Sequence, residues 1–286
     1  MPTNWVDVPE HLRCDIDIVA DPALGGDPQA CMVAWLAKEQ RPLAYTPHNG
    51  GHWVIFTHNL AHTVLCDAKS FGSFPIGVPA NHEQRPRLIP LESGPDEHRR
   101  YRRLLLPVFQ PDVVKKMESG IRAQTCAVLD AAAGEEKIDF LKDIAKPIPT
   151  QVFAEQMGLE AAMLPQFYEW ETGFYRASTL EERLACGQQI ALHLQQVVEQ
   201  HQKRSGSEDI VDLLLAAEVE GERLTPEEVQ GVAYLLFLAG IDTVASMLSF
   251  TILQLARNPH QYAQLHQNPE KVTASVDEFL RLNAFI

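Results

Sequence analysis

The sequence predicts a mainly α-helical protein with small β-sheets, and three observations carry that prediction. Apolar residues recur at helical spacing through most of the chain. Only "PLAYTPHNGGHWVIFT" and "EVEGERLT" read as paired strands or a small turn. Residues 232–256 are long and mostly apolar, as befits a helix crossing the middle of a large helical body. A chain of 286 residues with 45% hydrophobic composition can bury a sizeable core. No linker, repeat or low-complexity tract divides it, so residues 1–286 read as one domain.

The helical part opens at 29–39. Asn49 and Gly50 then supply a hairpin signal between two short strands, and 58–68 resumes helix. From 70 to 94 the chain holds four prolines and three glycines without periodicity, a loop longer than a connection needs and of the kind that forms lids or binding surfaces. Helices follow at 96–106, 111–132, 149–157, 160–176, 180–203 and 208–217. Thr225, Pro226 and Glu228 start the long helix with an N-cap, a first-turn proline and a capping box. Asn258 and Pro259 stop it near Arg257. Two more helices follow, and the last residues, Ala284, Phe285 and Ile286, form an apolar ending that leads us to expect further sequence beyond it.

Composition narrows the function. A formal net charge of −14 argues against nucleic acid or an anionic membrane as partner. Cys14, Cys31, Cys66, Cys126 and Cys186 are odd in number and lack CxxC spacing, so neither a disulfide framework nor a zinc site is expected and a cytoplasmic setting is. The polar, acidic start "MPTNWVDVPEHLRCDID" is no signal peptide. Asp242 would cost roughly 2.5–3.5 kcal/mol at the centre of a membrane-spanning helix, so the long helix is read as a core helix and no membrane partner is expected. His58 and His62 have metal-compatible spacing but no third ligand nearby, and no metal site is read there.

The chemistry concentrates in "AGIDTV". Gly240 weakens a helix interior by roughly 1 kcal/mol relative to alanine, yet it sits beside Asp242 and Thr243 in the most apolar segment. Gly240 and Thr243 share a face. The Thr243 hydroxyl can bond the Ala239 carbonyl and loosen the helical ladder, and Asp242 can link that notch to water. An acid beside a hydroxyl is what proton delivery to a dry reaction centre requires. The same residues also fit a helix–helix packing notch with a solvated Asp242, and the motif alone leaves both open. In "PDEHRRYRRLL", His98 and Arg102 fall on one helical face and Arg99 and Arg103 on the next; one face could clamp an anionic group and the other present a basic patch, or both could be solvated. Glu278 and Arg281 in "DEFLR" read by default as an exposed pair.

The order of these segments is more specific than any one of them. "PDEHRRYRRLLLPVF", "LFLAGIDTVASMLSF" and "SVDEFLRL" together resemble the cytochrome P-450 superfamily, and "LIPLESGPDEHRRYR" and "NGGHW" are particularly similar to the soluble bacterial camphor-hydroxylase group. The resemblance implies a haem-thiolate monooxygenase that hydroxylates a small apolar substrate, terpenoid or aromatic, with O2. Its electrons would come from a ferredoxin-type donor fed by an NAD(P)H-dependent reductase. Gly240 would open an oxygen notch beside Ala239 over the haem, and Asp242 and Thr243 would deliver protons. His98 and Arg102 would clamp haem propionates, while Glu278 and Arg281 would form a buried pair in the proximal core. Arg99 and Arg103 would face the electron donor, and Leu235 and Leu238 would line the substrate pocket under the 70–94 loop.

Two departures qualify these expectations. Where camphor hydroxylases carry a tyrosine before the "xIP" run, this chain has Pro86 followed by Arg87, so a substrate other than camphor is expected. The family's axial cysteine lies in a loop after the E-x-x-R helix, and none of the five cysteines here has that context. The expectation is an N-terminal portion of the fold that does not hydroxylate by itself and contains no metal ligand. The alternative is a non-catalytic remnant that binds apolar ligands or a protein partner.

Overall fold

The computed structural model describes residues 5–25, 28–78, 85–177, 179–204, 209–219 and 221–283. The apolar ending at 284–286, part of the 70–94 loop and the first residue of the helix expected at 208 lie outside them. The chain divides into two compact units, one of residues 1–84 with 91–98 and the other of residues 85–90 with 99–286.

In the smaller unit, helix α1 (Pro28–Glu39) precedes an antiparallel hairpin of β1 (Leu43–Thr46) and β2 (His52–Ile55), in which Leu43 pairs with Ile55 and Thr46 with His52. The hairpin is closed not by a two-residue turn but by residues 47–51, with Asn49, Gly50 and Gly51 at φ of 56°, 88° and 80°. Gly51 is obligatory there, because a Cβ would meet the Tyr45 ring. Helix α2 (His58–Cys66) follows. Cys14, Ile16 and Ala44 form a small core in this unit, and burial raises the Cys14 thiol above its ordinary value.

Helix α3 (Pro95–Leu105) begins within residues of the smaller unit and ends within the larger one. The larger unit then continues with α4 (Pro111–Ala132), a π-helical turn (Phe140–Ala145), α5 (Pro147–Gln156), α6 (Leu164–Arg176), α7 (Leu180–Lys203) and α8 (Ile210–Ala216). A two-strand ribbon, β3 (Glu218–Val219) with β4 (Glu222–Arg223), leads into α9 (Pro226–Arg257), followed by α10 (Pro259–Gln267) and α11 (Lys271–Leu282). Apart from the π-helical turn and short 3-10 turns, the helices lie where periodicity and capping residues predict them.

Helix α9 organises this unit. Val229, Val232, Tyr234, Phe237, Leu238 and Ile241 are buried along its N-terminal half, against α5, α7 and α8. Gly231 permits a close approach: a Cβ there would stand 2.6 Å from the Arg87 carbonyl oxygen. Among the described residues α9 is long and apolar enough to cross a membrane by length and composition, but here that half is core. Its start is fixed by Thr225, whose hydroxyl accepts from the Glu228 amide at 3.2 Å, while Glu228 Oε2 accepts from the Thr225 amide at 2.8 Å. Glu228 Oε1 also accepts from Tyr101 Oη of α3 at 2.5 Å. Replacing Thr225 by alanine is expected to lower unfolding free energy by about 1 kcal/mol, read as a reduced urea midpoint with unchanged slope.

Candidate functional site

The site is built where α9 leaves the core. Thr243 Oγ1 donates to the Ala239 carbonyl oxygen at 2.7 Å, so that carbonyl is shared with a side chain while α9 stays helical through this turn. Ala239 and Val244 are exposed and Thr243 is half-buried, so this stretch of α9 is open. A cavity of ≈ 450 Å³ adjoins it, lined by Leu236, Ala239, Gly240 and Val244 of α9, Phe153 and Gln156 of α5, and apolar residues of α4.

Gly240 serves a contact that the notch reading did not include. A Cβ at that position would lie 2.8 Å from Phe153 Cδ2, so the glycine is required by the ring of α5 packing against α9. The packing-notch alternative therefore accounts for Gly240 itself, although the residue also lines the cavity.

Asp242 does not point simply to water, as its sequence position suggested. Its Oδ1 is buried without a hydrogen-bond partner, lies 4.0 Å from Arg176 Nη2 of α6, and the carboxylate faces Glu171 of the same helix. Glu171 is 1% exposed. Its Oε2 accepts from Lys146 Nζ at 2.9 Å, and Lys146 also donates to Thr172 Oγ1 at 3.0 Å. Burial, opposed by Lys146 and reinforced by Asp242, raises the Glu171 carboxyl above its ordinary value. Tyr175 Oη donates to the Leu238 carbonyl oxygen at 3.0 Å; its phenol is raised by burial and by the negative charges of Asp242 and Glu171. Burial likewise pushes the Tyr234 phenol up to about 12.

The sequence missed Lys146, Glu171, Tyr175 and Arg176. One signal was available: Glu171 lies four residues after Phe167 and three before Phe174, on the buried face of α6 where the period calls for an apolar residue.

The remaining expected residues are placed as follows. Leu238 is buried and Leu235 half-buried against the core. Pro86 is half-buried and Arg87 exposed, with the Arg87 backbone against α9 at Gly231, one helical turn before Leu235. His98, Arg99, Arg102 and Arg103 are all exposed on α3. Arg102 does not line the cavity. Glu278 and Arg281 form a bidentate pair, at 2.7 and 2.8 Å, but their side chains are 55% and 67% exposed. The burial implied by the resemblance does not occur in this chain, because α11 turns only Phe279 inward.

The residues present fit a haem on one side. The open turn Ala239–Thr243 and the apolar cavity suit a flat apolar face, but no cysteine lines the cavity. Cys186 instead packs against Gly173 between α6 and α7, and Cys14 lies in the smaller unit's core.

The profile of the family described as Cytochrome P450 matches residues 151–280. Over 266 residues the chain is 32% identical to "Probable cytochrome P450 127A1" of Sinorhizobium fredii, covering 91% of this chain and 63% of that one. It is 28% identical to "Erythromycin C-12 hydroxylase" of Saccharopolyspora erythraea, covering 88% and 65%. The crystal structure of CYP101J2 superposes with a TM-score of 0.83 at 28% identity, over 98% of this chain and 70% of that one. The chain thus spans less than two thirds of the length of these two sequence relatives.

Proposed function

This chain belongs to the cytochrome P450 family, and from that premise we propose that it supplies the oxygen-side wall of a haem-dependent monooxygenase acting on a small apolar substrate. The single observation carrying this reading is the 2.7 Å bond from Thr243 Oγ1 to the Ala239 carbonyl on the open stretch of α9, with Asp242 one residue before it. When bound, haem would supply the activation of O2. Ala239, Gly240 and Val244 would lie along its face, and His98 and Arg102 would bind its propionates. Thr243 holds a hydroxyl proton at that face, and Asp242 is the acid that can renew it. Leu235, Leu238 and the backbone at Pro86 and Arg87 would exclude water on the substrate side. The exposed Arg99 and Arg103 suit an acidic, ferredoxin-type electron donor, itself reduced from NAD(P)H in the cytoplasm.

A second reading is favoured by the cavity lining, apolar except for Gln156 and without a cysteine: the chain binds an apolar ligand and does no redox chemistry. Titrating the purified chain with ferric haem and following the Soret band separates the two. The monooxygenase reading expects saturable binding, weakened when Arg102 is replaced by alanine. It also expects a reduced carbonyl spectrum without the signature of thiolate ligation. No saturable haem binding, together with uptake of an apolar fluorescent probe, would favour the second. Turnover by this chain with a ferredoxin and its reductase would refute the expectation that it does not hydroxylate by itself.

A further inference from the structure

Three elements bring ionisable groups to one buried point behind the open turn of α9. Lys146 arrives from the junction of the π-helical turn and α5. Glu171 comes from the buried face of α6, and Asp242 from α9. The side chains of Lys146 and Glu171 are 10% and 2% exposed, and that of Asp242 is 24% exposed. The bond accepted by Glu171 Oε2 leaves its other oxygen, Oε1, buried and without a hydrogen-bond partner, and Asp242 Oδ1 is in the same condition. Two carboxyl groups face one another here, each with an orphaned buried oxygen. A proton between them satisfies both atoms at once, since a protonated carboxyl donates where a carboxylate can only accept. Adjacent buried carboxylates do not both ionise readily.

We propose that Glu171 and Asp242 share a single proton, and that Glu171, backed by Lys146, is the positioning residue from which Asp242 takes the proton it passes toward Thr243. This rests on the monooxygenase reading for the destination of the proton, but the sharing itself does not. The transfer balances without any co-reactant. The O–H bond of Glu171 breaks, an O–H bond forms on Asp242, and the carboxylate left on Glu171 is held by the Lys146 ammonium at 2.9 Å. Reloading follows the reverse path once Asp242, the more exposed of the two, takes a proton from water. The other groups facing this pair are Thr172, Tyr168 and Tyr175 on α6, with Arg176 against Asp242. None of the three hydroxyl groups is an acid at neutral pH, and the positive charge of Arg176 favours leaving the pair's one negative charge on Asp242. Burial acts in the same sense by holding Glu171 protonated above its ordinary 4.5.

The test is infrared spectroscopy of the intact 286-residue chain in H2O and D2O, with circular dichroism as the check on folding. A protonated carboxylic acid has a C=O stretch distinct from amide and carboxylate bands, and it shifts on deuteration. The parent chain should show such a band at neutral pH. Glu171→Gln should remove it. In Asp242→Asn the band should be lost at a lower pH than in the parent, because burial still raises Glu171 but the negative charge of Asp242 no longer reinforces it. In Lys146→Met the band should persist to higher pH. Absence of the band in the parent, or its survival unchanged in all three variants, would overturn the proposal. Should Glu171→Gln fail to fold, the opposite responses of Asp242→Asn and Lys146→Met decide the matter. The readout needs neither haem nor turnover: a band with the expected pattern in a chain that binds no haem removes the monooxygenase reading and leaves the shared proton standing. Haem binding without the band does the reverse.

Discussion

Replacing Phe237 by alanine is expected to lower unfolding free energy by about 3–5 kcal/mol. Phe237 is 1% exposed. Its ring meets Phe153 of α5 at 5.9 Å and Phe167 of α6 at 5.5 Å, both edge to face. Each such pair contributes about 0.5–1.5 kcal/mol beyond the area it buries. Truncation removes both pairs and leaves a void bounded by three helices, whose backbones cannot close it without breaking their own packing. Against a typical total of about 5–15 kcal/mol, that loss would leave little margin. Phe237→Leu, which keeps part of the volume but loses both ring pairs, should cost less than the alanine variant. Urea unfolding of both variants checks this, and an alanine variant within about 1 kcal/mol of the parent would show that the three rings are not the fulcrum of the core.

Lys146→Met should produce the second large effect, and one that depends on pH. Removing one member of a buried pair costs about 3–5 kcal/mol when the other remains charged. The folded-state value of Glu171 lies above its unfolded one, so the stability contributed by its protonated form is complete below the ordinary carboxylate value and is lost as pH rises through the folded value. In acid, where both carboxyls of the pair are protonated, the methionine variant should unfold almost like the parent. As pH rises the parent retains the Lys146 ammonium against the pair's negative charge and the variant does not. The gap between their urea midpoints should therefore widen with pH. A gap constant across the range would mean that Lys146 acts through packing alone.

Much of the fold was legible because its boundaries are chemical. Thr225, Pro226 and Glu228 mark the start of α9 and Asn258 with Pro259 its end, and α9 runs Pro226–Arg257. Thr179 and Glu182 form the same kind of box at the start of α7. The hairpin was readable from Asn49 and Gly50, but its loop length was not, because the approach of the Tyr45 ring to Gly51, which also takes a positive φ, is not visible in local preference. The π-helical turn Phe140–Ala145 precedes Pro147 and Pro149, and prolines so close together suggest irregular chain. In the site, Asp242 and Thr243 stood out because polar residues interrupt an apolar run. Lys146 and Glu171 lie 25 residues apart on different elements; Lys146 alone reads as a surface charge, Glu171 only as an acid out of place on an apolar face, and the packing of α5, α6 and α9 makes them a pair.

The hydrogen bond from Tyr101 to Glu228 joins residues 127 positions apart. On a ribosome adding about 5–20 residues per second, Tyr101 emerges roughly 6–25 seconds before its acceptor is made. Tyr101 is 2% exposed in the finished protein, so during that interval a tyrosine meant for the interior stands without the carboxylate that will receive its hydroxyl. The helices from α4 to α8 can assemble locally in the meantime. The Tyr101–Glu228 bond that ties α3 to α9 can form only once the first turn of α9 is translated.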